Sequence, residues 1–207
     1  MRERQSRANA ILIPNYNFLK PTDRKTEIVT MAARLFKEKG YSAVTMRDIA
    51  QAMDIKAASL YNHIKSKQEI LILIVIEIAE EFTNTMLQIV NAEENAIQKI
   101  EKVIQLHIDI TLRNSDALAC LNNDWMHLAK AELAYFIKMR EQYEENFRTI
   151  IAKGIADGEI KNLNIEVIIF STLSTLRTLY LWYGKKKSLQ AATIKSDMTQ
   201  VLLQGMV

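Results

Sequence analysis

The chain has 207 residues, 49% apolar and 25% charged, a balance that builds a packed core and excludes general disorder. Two prolines and five glycines punctuate too little for a sheet protein of this length, and a single cysteine, Cys120, excludes an intramolecular disulfide and a cysteine-rich metal site. The net charge of +3 hides an asymmetry: residues 1–67 hold 13 Lys/Arg against 6 Asp/Glu (+7), while residues 68–207 hold 14 against 18 (−4). A basic N-terminal third suits a polyanionic partner, although charge alone also fits a scattered solvated surface.

Residues 1–22 lack sustained periodicity and read as an N-terminal extension. Its Arg2, Arg4 and Arg7 have the chemistry to enter a DNA groove, but a solvated tail is the simpler reading. Ile11-Leu12-Ile13 is too short for a secretory core, and the apolar run Ile70 to Ala79 ends at Glu80-Glu81, short of a membrane span. The expectation is therefore a soluble, cytoplasmic protein with no membrane partner.

Apolar spacing predicts an all-α chain. A first helix runs from about Asp23 to Lys39, with Ile28, Ala32, Leu35 and Phe36 on one face and Gly40 ending it. Thr45 and Asp48 form a capping box for a second helix, whose inward face is Met46, Ile49, Ala50 and Met53. Met53-Asp54-Ile55 is a turn, and a third helix covers Ala57 to His63, with Leu60 and Ile64 inward. Ser66-Lys67-Gln68-Glu69 is read as a second capping box opening a long helix from Lys67 to Asn91. Further helices are predicted over 94–113, 116–128, 131–156, 165–183 (N-cap Asn164) and 188–203. This divides the chain into residues 23–67, with two short helices about a tight turn, and residues 68–207, helical throughout.

Two short helices joined by a tight turn, the second polar and exposed, form a unit that can lay one helix in the major groove. Arg47 opens the second helix; Lys56, Ala57 and Ser59 lead the third; Tyr61, Asn62 and His63 follow on its solvent side. Lys65 and Lys67 lie at the start of the next helix, where free backbone N–H groups also favour a phosphate. Arg47, Ala57, Ser59 and Asn62 are expected nearest the bases, with Tyr61, His63 and Lys67 on phosphates.

The stretch from Lys25 to Leu71 resembles the N-terminal domain of the TetR family of bacterial repressors. The likeness is carried by Ala33-Arg34-Leu35-Phe36, Gly40-Tyr41, Val44 to Ala50, Ser59 to His63 and Lys65 to Leu71. Asp54 stands where that family commonly has glycine in the turn, Ala58 where a glycine is frequent, and Ile64 where an aromatic is frequent. The resemblance implies a homodimer that binds double-stranded DNA at a palindrome and is released by a small-molecule effector, with residues 23–67 as the helix-turn-helix DNA-binding domain and 68–207 as the ligand-binding and dimerisation domain.

In the C-terminal part, polar residues interrupt apolar helices: His107, Asp109, Asn122, Asn123, Asp124, Trp125, His127, Arg140, Tyr143, Arg177, Tyr180, Trp182 and Tyr183. Such a mix suits a cavity with an apolar floor and polar handles, or ordinary helix packing. Trp125, Tyr143, Arg177 and Tyr180 are the candidate ligand residues. Arg177 must face solvent, an anionic ligand, or a carboxylate such as Asp109, Asp124 or one from a partner chain. His107, Asp124 and His127 lack a metal-ligand spacing, and no P-loop, nucleophile elbow or dinucleotide fingerprint appears. No cofactor, metal site or catalytic residue is therefore assigned. Asn123 to Leu128, Arg140 to Tyr143, Gly154 to Ile160 and Leu181 to Tyr183 resemble a subgroup of the same family whose members include some answering to acyl-CoA or fatty-acid-like ligands. A cationic hydrophobic drug is the alternative effector, and a helical binding protein without an operator is the alternative function. Val167, Phe170, Ser171, Ser174, Val201 and Leu202 offer a dimer face at helical spacing.

Overall fold

The computed structural model describes residues 23–185 and 189–207. The N-terminal extension, with its three arginines, and the predicted helix start at Ser188 lie outside them. Among the described residues there are eight α-helices and no strand: α1 Arg24–Lys39, α2 Met46–Ala52, α3 Ala57–Tyr61, α4 Lys67–Asn91, α5 Ala96–Asn123, α6 Lys130–Ala156, α7 Ile165–Tyr183 and α8 Ala191–Gln204.

Local chemistry sets the boundaries. Asp23 caps α1, accepting from the Lys25 N–H, and the chain turns at Gly40 (φ 83°). Thr45 and Asp48 make the full reciprocal capping box on α2. Asp54 adopts φ 53°, so a left-handed turn separates α2 from α3 without glycine. Asn164 caps α7 through two backbone N–H groups.

Two predicted features differ. The box at Ser66 is only half made: Ser66 Oγ accepts from the Glu69 N–H, but the Glu69 carboxylate accepts from Lys25 Nζ and the Lys65 N–H, each at 2.8 Å. A cation from α1 outcompetes the neutral N-cap amide. Helix α3 stops at Tyr61, and Asn62 and His63 form a turn, because Ile64 must swing into the core, where it is 1% exposed. The break predicted between residues 113 and 116 is present: Asn114 is non-helical (φ −135°, ψ 44°) and splits α5 into two helical arms, the second ending at Asn123 rather than near 128. Asn114-Ser115-Asp116 competes locally for backbone groups, yet Ile108 and Ile110 before the bend and Leu118 and Ala119 after it enter the same core. A 3-10 turn, Trp125–His127, follows α5.

Two main cores result. The reader core joins Ile28, Ala32, Phe36, Ile49, Leu60 and Ile64 to Ile70 and Ile74 of α4 and to Cys120 of α5. Cys120 is fully buried, and burial pushes its thiol up to about 12, so it packs as a small apolar group. The body core is built from α4 to α8 around Ile100, Ile104, Phe147 and Leu176. Helix α4 packs on α5 and α6, and α5 packs on α1, α7 and α8. On the first turns of α4 Ile70 and Ile74 thus belong to the reader core, while Leu71 and Val75 pack with Leu128, Phe136 and Met139, and the rest of the helix lies in the body.

Gly154 fixes how closely α6 meets the start of α5. A Cβ there would lie 2.6 Å from Ala96 Cβ and 2.5 Å from Ile160 Cδ1. The Ala96 methyl has no rotamer with which to retreat. Gly154→Ala is therefore expected to destabilise the fold by about 1–3 kcal/mol in urea unfolding; an unchanged midpoint would show that the two helices slide apart freely.

Candidate DNA-reading surface and ligand cavity

Leu60 anchors α3 in the core and Ala57 packs partly against it, while Ala58, Ser59 and Tyr61 are left to solvent. Arg47, Lys56, Ser59, Tyr61, Asn62, His63 and Lys65 are all exposed, Tyr61 with 53% of its surface accessible. Seven of the nine residues expected to meet DNA are thus open to solvent. The other two, Ala57 and Lys67, are half-buried. Ala57 packs partly on the reader core.

Lys67 carries a structural load. Its ammonium donates to the carbonyl oxygens of Tyr41 and Val44, each at 2.8 Å, and lies 4.3 Å above the Tyr41 ring. Two of its three N–H donors are thus committed within the protein. Tyr41 is a junction: its hydroxyl donates to Gln68 Oε1 (3.0 Å), its N–H to Asp124 Oδ1 (3.4 Å), and its ring stacks on His127 with centroids 5.2 Å apart. Asp124 and His127 therefore serve the contact between reader and body, away from His107.

Within the body, α4, α5, α6 and α7 enclose a cavity of about 170 Å³. Its apolar wall includes Phe82, Leu118, Leu121, Phe136, Met139 and Leu176, and its polar groups include His107, Asn122, Arg140, Tyr143 and Arg177. Trp125 lines it as well and packs on Phe136 with ring centroids 5.6 Å apart. Three of the four candidate ligand residues, Trp125, Tyr143 and Arg177, are brought together here. Tyr180 is not in the lining; it is 3% exposed, and its hydroxyl donates to Asn123 Oδ1 at 3.2 Å. One helical turn beyond Leu176, it points to the end of α5 instead. Phe82, Phe136 and Met139 carry no sequence signal distinguishing a cavity wall from a solid core. His107, Asn122 and Arg140 do, as polar interruptions.

Charge in the cavity is confined to the two arginines. Arg177 Nη2 donates to Glu144 Oε1 at 2.7 Å, and Arg140 Nε lies 3.8 Å from the same oxygen. The carboxylate partner of Arg177 is thus Glu144 of α6. Asp109 pairs instead with Lys195 of α8, and Asp124 faces Tyr41. Deeper in, His107 Nε2 and the Tyr143 hydroxyl share a hydrogen bond of 2.9 Å. Burial, with the Arg177 charge adding to it, holds His107 down at about 3, so the imidazole is neutral near pH 7. Burial raises the Tyr143 hydroxyl, which likewise stays neutral.

The expected dimer face is open in one chain. Val167, Phe170 and Val201 are 60%, 72% and 69% exposed, Ser171 is exposed, and Ser174 and Leu202 are half-buried. Helix α7 is also long and apolar enough to cross a membrane by length and composition, at a mean hydropathy of 1.2. Its Ile168, Ile169, Leu173, Leu176 and Leu179 are instead packed in the body core.

Known proteins match both halves. A family model described as bacterial regulatory proteins, tetR family, matches residues 28–74, and one described as tetracyclin repressor-like, C-terminal domain, matches residues 93–206. The HTH-type transcriptional repressor KstR2 of Rhodococcus jostii (strain RHA1) is 24% identical over 185 residues, covering 88% of this chain and 91% of its own. The fatty acid metabolism regulator protein of Bacillus subtilis (strain 168) is 24% identical over 184 residues, covering 86% and 93%. The crystal structure of AibR in complex with isovaleryl coenzyme A and operator DNA shares the fold, with a TM-score of 0.73 at 23% identity, covering 86% of this chain and 97% of that one.

The neutral histidine has a pH signature. Its pKa is depressed on folding, so its contribution to stability is complete above the ordinary value of 6.5 and is lost as pH falls from there toward about 3. The slope it imposes approaches about 1.4 kcal/mol per pH unit. Between pH 7 and 4, the parent is expected to lose melting temperature more steeply than His107→Phe. Parallel pH profiles for the two proteins would show that His107 charges as readily folded as unfolded.

Proposed function

The chain belongs to the TetR family of bacterial regulatory proteins, and on that premise we propose that it is a homodimeric transcriptional repressor released from a palindromic operator by an acyl-CoA or fatty-acid-like effector. The observation that carries the effector class is the cavity wall, where Arg140 and Arg177 share the single carboxylate of Glu144 beside an apolar pocket. That wall has a net positive charge, which favours an anionic head on an apolar tail over a cationic drug. KstR2 and the Bacillus fatty acid metabolism regulator are regulators rather than enzymes, and AibR carries isovaleryl coenzyme A with operator DNA; these relatives support the reading. The protein then acts in the cytoplasm, where its operator lies.

In this reading the unit from residue 23 to about 67 reads DNA and the remainder binds effector and partner. Arg47, Ala57, Ser59 and Asn62 approach the bases. Lys56, Lys65, Tyr61 and His63 hold phosphates, and Lys67 contributes its one remaining donor while bracing the turn at Tyr41.

Selection from a random duplex library is expected to return a palindrome. Lys65→Ala should then weaken binding to all duplexes alike and lower the log–log salt slope by about one, whereas Asn62→Ala should relax preference at one position in each half-site. Octanoyl-CoA, dodecanoyl-CoA or dodecanoate should release the selected duplex. No enriched sequence would remove the regulator reading, and no release by any of the three would remove the effector reading.

The exposed stripe of α7 predicts assembly. Sedimentation at micromolar concentration should give a dimer for the parent and a monomer for Phe170→Glu, because a carboxylate at the centre of a two-fold apolar face meets its own copy. A monomeric parent would contradict the proposed palindromic recognition.

A further inference from the structure

Two arginines and one carboxylate make an arrangement with two ways to pair. Glu144 and Arg140 stand one turn apart on α6, and Arg177 reaches the pair from α7. A single oxygen, Glu144 Oε1, accepts from Arg177 Nη2 at 2.7 Å and lies 3.8 Å from Arg140 Nε. Both arginines line the cavity, while Glu144 does not. The side chains of Arg177, Glu144 and Arg140 are 28%, 32% and 47% accessible, so they sit where water still reaches but screens only in part.

We propose that Glu144 is an internal competitor for the effector's anion: an anionic group entering the cavity takes Arg177, and Glu144 is handed over to Arg140. The proposal rests on the anionic-effector reading above and goes beyond it by naming the residue that sets the binding threshold. The ligand must displace a protein carboxylate from Arg177, so neutral amphiphiles gain nothing from that exchange. The displaced carboxylate needs no long journey, because Arg140 is one helical turn away and an i,i+4 pair forms with little rearrangement. Without Arg140, freeing Glu144 would leave a half-buried carboxylate without a cation, and the exchange would be resisted. The pair also ties α6 to α7, so the hand-over removes one link between those helices.

The test is a double-mutant cycle read by titration of dodecanoate, dodecanoyl-CoA and dodecan-1-ol, followed by Trp125 fluorescence or calorimetry. The two anions separate a carboxylate head from a coenzyme A phosphate. Glu144→Gln is expected to tighten at least one anion by about threefold to tenfold, the size of a partly exposed ion pair, and to leave dodecan-1-ol unchanged. Arg140→Gln should weaken the same anion in the parent and have a much smaller effect in the Glu144→Gln background. Glu144→Ala gives the same reading should the glutamine variant fail to fold. Unchanged or weaker anion binding in Glu144→Gln overturns the hand-over, as does equal tightening of the alcohol, which would make Glu144 a steric plug. An equal Arg140→Gln effect in both backgrounds also overturns it, since Arg140 would then touch the ligand directly. Failure of both anions to bind the parent and every variant removes the effector reading together with the hand-over. Binding to the parent with no response to Glu144→Gln removes the hand-over alone.

Discussion

The ammonium of Lys67, held on the carbonyls of Tyr41 and Val44, decides how the reader meets the rest of the molecule. A cation in the first turn of a helix opposes the helix dipole. Here that cost is offset by two charge-assisted hydrogen bonds and the face of the Tyr41 ring. The first turn of α4 is thereby fastened to the segment that leads into α2. Because Ile70 and Ile74 lie in the reader core while Ile78, Phe82 and Met86 lie in the body core, α4 is one rigid element with an end in each. Its angle cannot change without moving the reader.

A second contact approaches the same tyrosine from the other side. Asp124 and His127 grip Tyr41, and between them stands Trp125, part of the cavity wall. A side chain of the cavity wall is therefore next in sequence to Asp124 and two residues before His127, the pair that meets Tyr41. A ligand alters DNA affinity only by binding one arrangement better than the other, and about 1.4 kcal/mol of difference gives a tenfold effect. In a two-fold dimer a small tilt acts twice on the spacing between recognition helices, so the change needed in each subunit is small.

What the sequence made legible was whatever is decided within a few residues. The Thr45 box, the Asn164 cap, the turn at Asp54 and the inward set Ile28, Ala32, Leu35, Phe36 depend on neighbours at fixed spacing, and each is found as read. The polar break between residues 113 and 116 is likewise found, at Asn114, whereas a tertiary partner overrides the local rule at Glu69, which leaves its N-cap for Lys25. The cavity was half legible for the same reason. His107, Arg140 and Arg177 announce themselves as polar groups in apolar helices, but periodicity could not say that Arg177 finds Glu144 rather than Asp109 or Asp124. Nor could it say that Tyr180 faces away from the space Tyr143 lines. Phe82, Phe136 and Met139 look like core because a cavity wall is core with a neighbour missing.

The distribution of charge around that cavity follows from desolvation. His107 and Tyr143 are the buried polar groups of the wall, and both remain neutral because a charge there would have to give up its hydration. The two arginines lie where each stays partly wet and has the Glu144 carboxylate in reach. Selection by charge must therefore operate at the water-facing side, and selection by shape and neutral hydrogen bonding at the closed side. Because the two tasks fall to different residues, the headgroup and the tail of an effector can be discriminated independently. For the proposed effector, a substitution among Phe82, Leu118 or Met139 would then change which tail fits while leaving the proposed Arg140–Glu144–Arg177 exchange in place.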